Sequence, residues 1–186
     1  MKKIFLVTIF ILNLFALSSD SPLILGDLKN LENKFLKEYP FKKNGKKYIN
    51  NFKHSNYFFK IKELLNNKNS YKKVKFGKHI VYKPNYDKVF DLFLKYKNNP
   101  ATSYVATQLF LLVYGFYKKD KVIKYLKPFS EVLYKNKMCS GYLFYGDSLR
   151  ILLDYKKARD VYLDGKKNCN IQWIRTYIVG RLLKFY

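Results

Sequence analysis

Cys139 and Cys169 are the two cysteines of this 186-residue chain, and they are the residues best placed to react with each other. An even cysteine count behind an export signal favours a disulfide; the alternative is two separate buried thiols. A redox centre is disfavoured because there is no C-x-x-C pair. His54 and His79 lie far from both cysteines in sequence and make no zinc-ligand spacing with them. Glu131 and Asp147 are the carboxylates that could be imagined as an acid–base pair, but carboxylates on helix surfaces are usually solvated. The chain has no H-E-x-x-H, no G-x-S-x-G and no glycine-rich phosphate loop. The expectation is a protein that is not an enzyme, with no catalytic residues, cofactor, metal site or evident small-molecule substrate.

The lysines offer a second kind of chemistry. With 37 Lys and Arg against 13 Asp and Glu, the formal net charge is +24. One cluster is Lys42, Lys43, Lys46 and Lys47. Another is Lys72, Lys73, Lys75 and Lys78, interleaved with Tyr71, Phe76 and Tyr82. Basic residues among aromatics suit nucleic acid, and equally anionic lipid or an envelope polymer. The bland alternative is that the lysines supply solubility in a composition rich in Lys, Asn, Tyr and Phe.

Those side chains must be positioned by helices. Tyr142, Tyr145, Leu149, Leu152 and Leu153 recur at three- and four-residue steps, which places them on one helix face. Ser140 precedes the run as a candidate N-cap. Asp154 and Tyr155 break the pattern as a turn. A second helix runs from about Lys156, with Ala158, Val161, Tyr162 and Gly165 on one face. Glycine inside a helix costs roughly 1 kcal/mol relative to alanine. Gly146 and Ala158 therefore predict a close crossing of the two helices, with Tyr145 and Tyr162 filling the space beside it. Antiparallel helices bring Cys139 and Cys169 to adjacent open ends.

This stretch resembles the tetratricopeptide repeat. The family pattern has a large residue before a Gly, Ala twelve residues later, an aromatic four later and a small residue three after that. Here those positions are Tyr145-Gly146, Ala158, Tyr162 and Gly165. Tyr142 stands where the family has tryptophan, and the closing proline is missing. Sel1-like repeats, a relative with cysteine-paired helices in some secreted bacterial proteins, are similar in the cysteines as well. The resemblance implies an all-α fold of stacked antiparallel hairpins, an α-solenoid. It also implies a scaffold that binds a protein or peptide partner on its concave face.

The rest of the chain is read around that unit. Residues 1–18 have the form of a signal peptide: Lys2 and Lys3, an apolar run over 4–16, and small residues before a cleavage point after Ser18. This predicts export, to the periplasm; the alternative is an uncleaved inner-membrane anchor. Residues 21–26 read as a linker, and residues 19–70 form an N-terminal helical segment, a possible cap. It comprises a helix over 27–39 with Asp27 as candidate N-cap, a basic turn over 41–47 around Asn44-Gly45, and a helix over 48–66. Residues 71–186 form the repeat domain. Within it, 71–82 alternates like a strand, yet Phe76-Gly77 precedes Val89 as Tyr145-Gly146 precedes Ala158, so a degenerate repeat is the competing reading. Helices are expected over 86–97, 102–117, 120–134 (kinked or ended by Pro128) and 171–186. Val89, Val122 and Ala158 are 33 and 36 residues apart, and Gly146 and Gly180 are 34 apart. The partners expected are a protein or peptide, or alternatively an anionic polymer or membrane surface.

Overall fold

The computed structural model describes residues 28–67, 69, 71–76 and 79–185. The signal-peptide, linker and Asp27 readings, and Lys78, lie outside them. The described chain is helical apart from one β-hairpin. In order it forms α1 (Leu28–Glu38), α2 (Lys42–Lys53), α3 (Asn56–Asn66), β1 (Lys72–Phe76), β2 (His79–Lys83), α4 (Tyr86–Lys95), α5 (Pro100–Val113), α6 (residues 119–135), α7 (Cys139–Ile151), α8 (Tyr155–Asn168) and α9 (Gln172–Leu182). A 3-10 turn, Leu183–Phe185, follows.

The N-terminal helices are not set apart from the rest. Phe35, Phe52, Phe58 and Ile61 share one core with Phe90, Phe93, Phe110, Tyr125 and Phe129. A second cluster begins at Cys139 and runs through Tyr142, Ala158, Tyr162, Ile174 and Ile178. Helix α5 runs through the core: residues 100–107 are all buried, the small polar Thr102, Ser103 and Thr107 among them. Asn99 caps its N-terminus through a bond from the Ala101 N–H, and Pro100 at the first turn needs no donor there. Pro100 thus opens a helix.

Three local expectations are corrected and one open choice is decided. Residues 42–47 are helical, not a turn, and Gly45 serves the packing: a Cβ there would lie only 3.1 Å from Leu36 and 3.2 Å from the Tyr39 ring, so the glycine lets α2 cross α1. The helix expected over 48–66 breaks at His54-Ser55, where the Ser55 hydroxyl accepts from the Phe58 N–H and starts α3. The strand reading of residues 71–82 holds over the degenerate repeat: β1 and β2 pair antiparallel in register Lys72↔Lys83 through Phe76↔His79. The turn between α7 and α8 is one residue earlier than Asp154-Tyr155. Leu153 takes a left-handed conformation (φ 65°), and Asp154 N–H bonds Leu149 C=O while Leu153 N–H bonds Arg150 C=O. That is a Schellman closure. Asp154 then serves as the N-cap of α8, accepting from the Lys157 N–H.

Lys137, at φ 56°, closes α6 onto α7 by the same pair of bonds, Met138 N–H to Leu133 and Lys137 N–H to Tyr134. Pro128 neither ends nor breaks α6. It lacks an N–H, and its ring crowds the carbonyl four residues back; a π-turn over Val122–Leu126 absorbs both, and the helix continues from Lys127 to Lys135.

Candidate functional site

The C-terminal unit, α7 to α9, brings together the residues singled out for repeat packing, with one exception. A Cβ on Gly146 would lie 2.3 Å from Cε1 of Tyr162, so the tyrosine ring of α8 sits directly on the glycine of α7. A Cβ on Gly165 would lie 2.6 Å from Tyr142 and 2.9 Å from Ile178, so this glycine is where α7, α8 and α9 meet. Ala158 is fully buried. Tyr145 is buried in the same cluster as Ala158 and Tyr162, with the Lys157 ammonium of α8 5.7 Å from its ring centroid, and it stacks on Tyr134 of α6 at 5.3 Å. Gly180 is the exception: a Cβ there meets nothing within 4 Å.

Cys139 and Cys169 form a disulfide with Cα atoms 5.0 Å apart, joining the start of α7 to the end of α8. Ser140 is not the N-cap of α7; Met138 holds that position, and Ser140 lies inside the first turn with its N–H bonded to Glu38 Oε2 at 2.9 Å. Glu38 therefore takes the capping role from a distant helix. Its other oxygen accepts from the Tyr104 hydroxyl at 3.2 Å. Burial raises the Glu38 carboxyl above its ordinary range, and the Ser140 and Tyr104 bonds oppose that rise without cancelling it.

Asp147 is also not a solvated surface carboxylate; it is 2% exposed. Tyr162 donates its hydroxyl to Oδ1 at 2.7 Å, and Arg181 of α9 donates Nε–H to Oδ1 at 2.9 Å. The Arg150 guanidinium lies 3.7 Å from the same oxygen. Burial, then the Asp147 charge and hydrogen bond, hold the Tyr162 hydroxyl well above the usual phenol value. One acid thus ties α7, α8 and α9 together at the crossing Gly146 permits. Glu131 instead pairs with Lys135 one turn along its own helix.

Sequence reasoning missed Gly141. A Cβ there would lie 2.2 Å from the Tyr134 backbone nitrogen, so α6 and α7 touch main chain to main chain at this point. The only signal was a glycine in the first turn of an apolar helix.

The lysine clusters divide. Because α2 is a helix, Lys43, Lys46 and Lys47 fall at i, i+3 and i+4 on one exposed face, with Asn50 beyond them. Lys42 opens the same helix. No carboxylate of a described residue is ion-paired with Lys43, Lys46 or Lys47. Lys73 is exposed on β1 with its ammonium 5.9 Å from the centroid of its cross-strand neighbour Tyr82. Lys75 pairs in register with Ile80. Lys72 is drawn toward the body: its ammonium lies 3.7 Å from Asp87, which also accepts from Tyr114 at 2.9 Å and Lys121 at 2.6 Å. Burial pushes the Asp87 carboxyl up, but those two bonds and the Lys121 and Lys72 charges prevail and hold it below its ordinary value.

Among the described residues no group of three or more His, Cys, Asp or Glu side chains could hold a metal ion, and no helix is long and apolar enough to cross a membrane. The concavities described are shallow. One of about 400 Å³ lies between Lys97-Asn98 and the Pro128–Asn136 side of α6. Another, of about 510 Å³, lies between Tyr155, Arg159 and Phe185. In comparisons with family models, curated proteins and solved structures, the chain matches none.

Proposed function

We propose that this chain is an exported helical-repeat scaffold of tetratricopeptide or Sel1-like type that binds a protein or peptide partner without catalysing a reaction. The observation that carries the reading is the α7–α8 crossing. Gly146, Ala158, Tyr162 and Gly165 stand at the repeat's spacings, and they meet as a glycine notch filled by an aromatic. The next helix, α9, stacks on the same unit through Ile174 and Ile178. The disulfide supports export and favours the Sel1-like variant. Crosslinking pull-down from cell-envelope extracts tests the function. A stoichiometric partner above background is the expected result; recovery of none overturns it.

A second reading is electrostatic binding of an anionic polymer. The aligned Lys43, Lys46 and Lys47 of α2, which pair with no carboxylate of a described residue, favour it, and Lys73 beside exposed Tyr82 extends the idea to the hairpin. Counterion release demands that affinity for DNA or anionic vesicles fall steeply with salt. Absent or salt-insensitive binding removes this reading.

A further inference from the structure

The helices α7 and α9 carry glycines 34 residues apart in opposite circumstances. On α7, the notch at Gly146 is filled by Tyr162. On α9, Ile174, Ile178 and Leu182 are buried against the preceding unit, and the opposite face is uncovered among the described residues. That face shows Trp173 (57% exposed), Tyr177 (47%) and Leu183 (70%) around Gly180, where no described atom lies within 4 Å of an added Cβ. Trp173 and Tyr177 meet edge to face at 6.2 Å, forming an aromatic wall on one side of the notch.

Charge selects the occupant. Residues 169–186 contain no acidic residue; Arg181 is held by Asp147, but Arg175 and Lys184 remain, and Lys166 and Lys167 lie just before them. A second copy of this chain would bring the same cations, and a net charge of +24, against themselves. A notch left by one missing Cβ is matched by a single packed side chain, as Tyr162 matches Gly146. We propose that the exposed face of α9 is a docking site for an acidic amphipathic helix of a partner protein, which presents an aromatic side chain to Gly180 as Tyr162 does to Gly146. The inference rests on the scaffold reading above and specifies the chemistry of the partner.

The probe is a stapled peptide of residues 155–168 with Lys156→Glu, Lys157→Glu, Lys166→Glu and Lys167→Glu, titrated against the full chain. Trp173 is the chain's one tryptophan, so its emission reports on this face directly. Expected are saturable binding with a blue shift of Trp173 and weakening as salt rises. Affinity should also fall about tenfold or more when the peptide's Tyr162 is replaced by Ala. Gly180→Leu fills the notch at an exposed helix position, so it should abolish binding while leaving the melting temperature unchanged or higher. Equal binding by Gly180→Leu, or no binding at all, overturns the proposal. So does a blue shift that appears with protein concentration alone, which indicates self-association. A shift on anionic vesicles that Gly180→Leu does not weaken overturns it in favour of a membrane surface. If Gly180→Leu still recovers the same envelope partner by crosslinking, the scaffold reading stands and this face is not its site.

Discussion

The ring of Tyr162 occupies the position a side chain on Gly146 would need, while its hydroxyl reaches over to Asp147 one residue along α7. The close approach and the buried hydrogen bond are therefore one feature: a larger residue at 146 displaces the ring and also breaks the bond. Overpacking of this kind costs about 1–3 kcal/mol, and freeing a buried carboxylate oxygen adds to it. Gly146→Ala should lower stability by about 2 kcal/mol or more on those grounds. Gly180→Ala, at an open helix position, should raise it by about 0.5–1 kcal/mol. Urea melts of the two variants make the comparison, and equal effects would remove the packing argument.

Leu153 stands at φ 65° with its side chain 62% exposed. A left-handed conformation costs an L-residue about 1–2 kcal/mol, and little apolar burial repays it here. Leu153→Gly should stabilise the chain by about 1 kcal/mol by relieving that strain. A destabilised variant in thermal melts would mean that the leucine makes contacts that outweigh its backbone strain.

The disulfide joins the open ends of the α7–α8 hairpin, 30 residues apart in sequence. Constraining a loop of that size in the unfolded chain is worth about 3–4 kcal/mol. Cys139→Ser and Cys169→Ser should lose nearly equal stability, and the double substitution should add little, since one bond is lost in all three. Thermal melts of the oxidised protein and the three variants decide this. Clearly additive losses, or thiols that titrate in protein taken from its native compartment, would show the cysteines to be independent.

What was legible in the sequence is what periodicity encodes. The α7–α8 hairpin and its glycine crossing follow from spacing, because a 3.6-residue repeat fixes which side chains share a face; the cysteine pairing needed the even count and the expected export as well. The α7–α8 turn was misplaced by one residue because its left-handed residue is Leu153, with no glycine to mark it. Asn44-Gly45 misled in the opposite sense: the dipeptide is a strong turn signal, but packing against Leu36 and Tyr39 selected a helix. Asp147 and Glu38 were illegible because their partners, Arg181 and Ser140, lie 34 and 102 residues away. No local pattern records a pairing at that range. The hairpin at residues 72–83 was visible as alternation, and the competing repeat spacing around Phe76 proved accidental.

Glu38 gives a pH dependence that separates two opposed forces. The N-terminus of α7 favours its anion, through the Ser140 N–H and the helix dipole. Burial disfavours the anion more strongly, so the carboxyl is raised in the folded chain. The folded state then keeps this proton at pH values where the unfolded chain, with an ordinary value of about 4.3, has released it. The stability this group contributes is fully present below that unfolded value and is lost as pH rises through the raised folded value. Glu38→Gln keeps the shape and an acceptor for the Ser140 N–H but cannot ionise. Measured by urea unfolding from acidic to neutral pH, the parent should lose stability relative to Glu38→Gln as pH rises, and the difference should flatten once both sit above the folded value. A parent that gains on the variant over the same range would mean that the helix terminus outweighs burial and that Glu38 is held as an anion.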